Sequence, residues 1–187
     1  FWDILKDKRL MPHFHISLQA GNNIILKRMK RRHSREMAIE FCKKVLSIKK
    51  DATFGADIIA GFPTETEEMF LDSMSLVDEC QLTHLHVFPY SPRDKTPASR
   101  MPQINKSTIK ERAKRLRNKG FEKLEENLKS KIGKKELILI ENNKDNISLG
   151  KDQHFIKVKI KEDIKEGKII SCIYTGIEGD TLLANIA

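Results

Sequence analysis

Residues 55–68 read GADIIAGFPTETEE, and this run passes from a strand into a helix. Residues 54–60 are short, apolar and bounded by turn residues, the pattern of a buried strand, with Asp57 as their one charge. Gly61, Phe62 and Pro63 end the strand, because Gly admits unusual backbone angles and Pro offers no amide to a neighbouring strand. Thr64 with Glu67 three residues later makes a capping-box pattern, and Glu65, Glu67 and Glu68 suit the positive end of a helix dipole. The junction therefore sets free backbone groups and a carboxylate at the C-terminal edge of a strand, where α/β folds place ligands. An ordinary strand-to-helix turn accounts for the same residues, so this stretch alone leaves function open.

Before it, residues 13–19 (HFHISLQ) read as another buried strand, ending at Ala20 and Gly21. Asn22 caps a short helix carrying Ile25, Leu26 and Met29. Ser34 starts a second, with Ala38, Phe41, Cys42, Val45 and Ile48 at three-to-four spacing. After it comes a helix burying Met69, Phe70, Ser73, Val77 and Cys80, then a strand over 82–88 closed by Pro89. Residues 89–102 (PYSPRDKTPASRMP) form a loop of four prolines without helical or strand period. A helix over 106–130 follows, its stripe of Ile109, Ala113, Leu116, Phe121, Leu124 and Leu128 lying beneath a basic face. Past Gly133 the pattern turns strand-like at 136–140, 155–160, 168–174 and 181–186. Strands alternating with helices imply parallel pairing, so residues 1–130 read as an α/β unit and 131–187 as a small antiparallel β-barrel. Three βα units are too few to close a barrel, which implies preceding structure.

The chain has 187 residues, 39% hydrophobic and 33% charged, enough for one sizeable core and a small appendage under a polar surface. Its net charge of +9 is uneven. Residues 1–130 carry 25 Lys and Arg against 17 Asp and Glu, whereas 131–187 carry 10 against 9. The excess gathers in 27–35 (KRMKRRHSR) and 93–119, clusters that match either a phosphate backbone or a solvated surface. No apolar run approaches the roughly 20 residues of a membrane-spanning helix, and no membrane role is expected. The opening FWDILKDKRLMPHF lacks a signal-peptide layout. Cys42, Cys80 and Cys172 are odd in number and far apart, which argues against a disulfide framework and for the cytoplasm.

His13 with His15, and His84 with His86, each set two imidazoles on one face of a strand. Two such pairs suit a metal that activates water, as in a metal-dependent hydrolase; hydrogen-bonded histidines lining a pocket are the plainer reading. No G-x-x-x-x-G-K-[ST] phosphate loop, G-x-S-x-G nucleophile turn or cysteine pair at metal-ligand spacing occurs.

Several ordered motifs resemble the radical S-adenosylmethionine methylthiotransferases that modify tRNA. HFHISLQAGNNIILKRMKRRHS is similar to that family's H-x-x-x-x-Q-S-G-S…L-x-x-M-x-R-x-[YH]-[TS] segment. GADIIAGFPTETEEMF is similar to D-[IV]-I-[VA]-G-F-P-[GT]-E-T, and HVFPYSPRDKTPASRMPQ to F-x-Y-S-x-R-x-G-T-x-A. SLGKDQHFIKVKI resembles the family's appended RNA-binding TRAM barrel, and details of the first and third motifs resemble the branch acting on N6-threonylcarbamoyladenosine beside the anticodon. Where the family has Ser after Gln this chain has Ala20, and where it has Gly before Thr-Pro-Ala this chain has Lys95.

The resemblance implies the C-terminal half of an incomplete (βα)6 barrel, with S-adenosylmethionine at its mouth over a four-iron four-sulfur cluster. It implies cofactor contacts at Gln19, Gly21, Arg31, Asp57, Gly61, Glu65, Phe88 and Tyr90. The charge distribution adds a separate expectation: tRNA is held more by the basic segments 27–35 and 93–119, through Arg93, Arg112, Arg115 and Arg117, than by the charge of the nearly neutral tail. The family's C-x-x-x-C-x-x-C motif and second-cluster domain do not occur in these residues. The expectation is thus a portion of such an enzyme, inactive alone, with a separate chain as one source of its other half. A non-catalytic RNA-binding remnant of a split gene is the alternative, beside the hydrolase.

Overall fold

In the computed structural model, which describes residues 1–187, the run over 55–68 joins strand β2, Thr53–Ala60, to helix α3, Glu67–Glu79. Strand β1, His13–Gln19, lies on one side of β2 and β3, Leu82–Pro89, on the other. β2 and β3 are parallel, with Asp57 opposite His86 and Ile59 opposite Phe88. Helix α1, Asn23–Arg28, is capped by the Asn22 side chain, and α2, Arg35–Ile48, by Ser34. Both caps fall where the sequence puts them. The cap of α3 does not. Thr66 accepts from the Met69 amide, while Thr64 adopts a left-handed backbone at φ 68°, so the cap lies two residues beyond the expected Thr64 and Glu67 does not complete a capping box with it.

Alternation decides what the sheet offers. Phe54, Ala56, Ile58 and Ala60 of β2 are buried on one face, with Phe70, Leu76 and Val77 of α3 also in the core. Asp57 and Ile59 fall on the opposite face, less buried. Helix α4, Lys106–Lys131, buries Ile109, Ala113 and Leu116, whereas Phe121 is 64% exposed and leaves the expected stripe. The loop before it holds one short 3-10 turn, Pro97–Arg100, capped by Thr96.

The contacts divide the chain into two units, Phe1–Asp7 with Phe14–Lys123, and Lys8–His13 with Leu124–Ala187. The division falls inside α4, ahead of the sequence boundary at 130. The second unit is a closed barrel of β4 (Lys135–Lys144), β5 (Ile147–Asp152), β6 (Lys157–Ile160), β7 (Ile169–Glu178) and β8 (Thr181–Ile186), in the order β4-β5-β6-β8-β7. It is not wholly antiparallel, because β6 and β8 pair in parallel. Its core includes Leu128, Ile138, Val158, Tyr174 and Leu182. Inside it the Tyr174 hydroxyl donates to Asp152 at 2.8 Å, and the other Asp152 oxygen accepts the amides of His154 and Ile156, each at 2.9 Å. Burial first, then the Asp152 charge, push the Tyr174 phenol well above its ordinary range.

Candidate functional site

Near the carboxyl ends of β1, β2 and β3 a cleft of about 550 Å³ opens, lined by Gln19, Asp57, Ile59, Phe88, Tyr90 and Arg93 and rimmed by residues of the 91–98 loop. That size lies in the range of small-molecule sites. Each lining group is placed by local backbone chemistry. Gln19, the last residue of β1, is held left-handed at φ 68°, a conformation that a non-glycine residue adopts at a cost of about 1 kcal/mol. The Tyr90 amide donates to the Ala60 carbonyl at 2.9 Å, tying the segment after β3 to the end of β2. Its ring meets Phe62 edge-on at 5.4 Å. The Tyr90 hydroxyl is buried and has no hydrogen-bond partner, and burial raises its pKa. A buried polar atom without a partner calls for an explanation, and Tyr90 is among the residues that line the cleft. Opposite the usual family glycine, Lys95 is itself left-handed at φ 66°, so the loop keeps that turn without the glycine.

Of the eight residues implied for the cofactor, Gln19, Asp57, Phe88 and Tyr90 share this cleft. The other four do not line it. Gly21 gives its amide to Ser73 Oγ at 2.9 Å, and a side chain there would strike the Asp72 carbonyl and Ser73 Cα, so close packing on α3 accounts for the glycine. Arg31 is exposed beyond α1 and does not line the cleft. Gly61, at φ 77°, donates its amide to Glu65 Oε2 at 2.9 Å. Glu65 is buried and accepts from Arg112 Nη1 at 3.0 Å, so its carboxylate closes the turn instead of facing a ligand. Burial pushes the Glu65 carboxyl up, against the downward pull of the Gly61 amide and Arg112.

The four arginines expected at RNA separate in the same way. Arg93 lines the cleft. Arg112 departs from the expectation of an exposed face: it is 5% exposed and locked to Glu65 by its carboxylate and its carbonyl. The half-buried Arg115 lies over the Phe70 ring at 4.6 Å and pairs with Glu67 at 2.6 Å and Glu111 at 3.3 Å. Arg117 is exposed, with Nη2 3.3 Å from the Val87 carbonyl.

Two arrangements were not foreseen. Arg35 bridges the Gly21 and Asp72 carbonyls, Ser75 and Glu79, latching the end of β1 to α3. On the open sheet face, one histidine from each His-x-His pair meets Asp57: His15 Nε2 lies 2.9 Å and His86 Nδ1 3.3 Å from the same oxygen, Oδ1. The three-stranded order carries that signal, since Asp57 occupies the middle strand on the face set by period two. His84 instead contacts the Thr83 hydroxyl at 2.9 Å.

The cleft suits a nucleoside cofactor with polar groups, through the Gln19 amide, the free Tyr90 hydroxyl, the Phe88 ring and the Arg93 cation. The thiols do not suit a four-iron cluster. Cys42 and Cys80 are buried in the first unit and hydrogen-bonded to each other; that contact first, then burial, push the Cys42 thiol up. Cys172 is buried in the barrel core. A cluster needs several converging, accessible thiolates; only Cys42 and Cys80 meet, and all three thiols are buried.

Residues 1–77 match the radical SAM superfamily. Over 175 residues the chain is 51% identical to the threonylcarbamoyladenosine tRNA methylthiotransferase MtaB of Rickettsia prowazekii, covering 94% of this chain and 41% of that protein. It is 34% identical over 189 residues to the MtaB of Thermotoga maritima, covering 93% and 43% respectively. A tRNA-2-methylthio-N(6)-dimethylallyladenosine synthase of Oceanobacillus iheyensis is 38% identical over 133 residues, which is 71% of this chain and 26% of that one. The chain belongs to the radical S-adenosylmethionine tRNA methylthiotransferase family. Within it, the similarity supports the threonylcarbamoyladenosine branch. The chain spans less than half the length of these relatives. No helix is long and apolar enough to cross a membrane.

Proposed function

We propose that residues 1–130 are the C-terminal half of a radical-SAM barrel whose cleft receives S-adenosylmethionine. The barrel past 131 is, in this reading, a TRAM-like RNA-binding module. The whole enzyme adds a methylthio group to N6-threonylcarbamoyladenosine of tRNA in the cytoplasm. The observation that supports the reading is the cleft itself, which brings together Gln19, Asp57, Phe88 and Tyr90 at the strand ends with the Tyr90 hydroxyl unpaired. When bound, the cofactor supplies the radical and methyl chemistry of the family. The chain's own residues bind and orient it. Phe88 and Tyr90 give aromatic surface, Gln19 an amide, and Arg93 a cation for a carboxylate. Because the three thiols do not fit a cluster, its ligands in this reading come from outside residues 1–187, and the chain is inactive alone.

Equilibrium dialysis with labelled S-adenosylhomocysteine tests the cleft without any cluster. Gln19→Ala and Tyr90→Phe should each weaken retention about tenfold, the worth of one or two hydrogen bonds, while Phe155→Ala in the barrel leaves it unchanged. Retention equal in all four proteins, or none at millimolar ligand, would remove the cleft from the account.

A further inference from the structure

We propose that His15, Asp57 and His86 form a binding site for a single divalent first-row transition ion of the zinc type, separate from the family's iron–sulfur chemistry. Three adjacent strands each contribute one side chain. His15 comes from β1, Asp57 from β2 and His86 from β3, and Asp57 and His86 are register partners. The donor atoms lie within 4.8 Å of one another. Asp57 Oδ1 stands 2.9 Å and 3.3 Å from the two imidazole nitrogens. Ligands about 2.0 Å from a tetrahedral ion stand roughly 3.3 Å apart, so the two separations from Asp57 Oδ1 come close to two edges of such a polyhedron. The two imidazole ring centroids lie 4.9 Å apart, tilted by 40°.

Two imidazoles and a carboxylate are the donor set of zinc and other borderline divalent ions, and are a poor match to calcium or magnesium, which take oxygen ligands. With neutral imidazoles the trio carries one negative charge, and three protein ligands leave a coordination position open. Asp57 also lines the cleft, so a ligand there is within reach of that position. Both ion partners of Asp57 are these imidazoles. Without an ion the same geometry is satisfied by hydrogen bonds from two ring N–H groups to one oxygen. In the ion-bound trio a cation takes the place of those two N–H hydrogens, and each neutral ring carries its proton on the other nitrogen.

Titration of the tag-free chain with Zn²⁺ against a chromophoric chelator separates the two. One saturable site is expected, with His15→Ala, Asp57→Asn and His86→Ala each weakening it by at least the roughly 10–100-fold that even outer partners of a metal command. His84→Ala serves as the control and keeps the site. Since Asp57→Asn alters the middle strand, a second measurement uses unaltered protein: Co²⁺ should broaden the imidazole resonances of His15 and His86 before those of His33 or His154. Absence of saturable Zn²⁺ binding, unchanged affinity in all three variants, or Co²⁺ broadening confined to other histidines would each leave the trio as a hydrogen-bonded cluster and overturn the site. Failure here leaves S-adenosylhomocysteine retention by Gln19 and Tyr90 untouched.

Discussion

Arg112 is the residue at which a charge changes meaning between sequence and structure. In the sequence it belongs to a basic run, yet it lies one helical turn from Ile109 and Leu116, on the side of α4 that turns inward. There its guanidinium closes the turn after β2 by holding Glu65, whose side chain is 1% exposed. Removing one member of a buried pair strands the other, so Arg112→Ala should cost about 3–5 kcal/mol in urea unfolding. The double variant Glu65→Gln with Arg112→Met should recover most of that loss. A cost under about 1 kcal/mol for the single change would show that water, not Arg112, satisfies Glu65. Sequence position could have revealed the pair, because an acid in a tight turn and an arginine on a buried helical stripe both demand a partner.

Among the elements, the strand missed by pattern is the most instructive. β5 points Ser148, Gly150 and Asp152 inward and leaves Leu149 46% exposed, the reverse of the usual alternation. Its inner face is stabilised by hydrogen bonds instead: Ser148 Oγ receives the Ile164 amide at 3.0 Å, and Asp152 receives the Tyr174 hydroxyl. Hydrophobic period cannot register such a strand, whereas β2, with its alternating apolar face, was legible. The displaced cap at Thr66 has a similar cause, since two threonines two residues apart offer the same local chemistry and the left-handed backbone at Thr64 decides between them. The Tyr174–Asp152 bond yields a prediction with a sign. The folded phenol titrates above the unfolded one, so its stabilising contribution is fully present below about pH 10 and is lost as pH rises beyond. Tyr174→Phe should lower stability by about 1–2 kcal/mol at pH 7, and remove the part of the alkaline loss between about pH 9 and 11 due to this group. Unfolding midpoints that fall equally in both proteins over that range would contradict it.

At the scale of the whole molecule, the cleft was partly legible. Strand-end residues Gln19, Phe88 and Tyr90 lie where motif order put them, while Gly21, Gly61 and Glu65 serve packing and turn closure, contacts that no linear pattern displays. Charge follows the same division. The excess over residues 1–130 includes cations already engaged, among them Arg35, Arg112 and Arg115, whereas Arg31, Arg32 and Arg100 are exposed. Binding of an S-adenosyl group, as proposed for the cleft, would be shared with many cofactor enzymes; holding RNA is what would mark one that modifies tRNA. The most direct measurement is therefore the affinity of the chain for tRNA across a range of salt. The account predicts that log K falls linearly with log salt, and that Arg31→Gln, Arg32→Gln and Arg100→Gln together flatten the slope by about 0.7–0.9 for each phosphate no longer neutralised. Binding that is absent at low salt, or a slope identical in the triple variant, would contradict it.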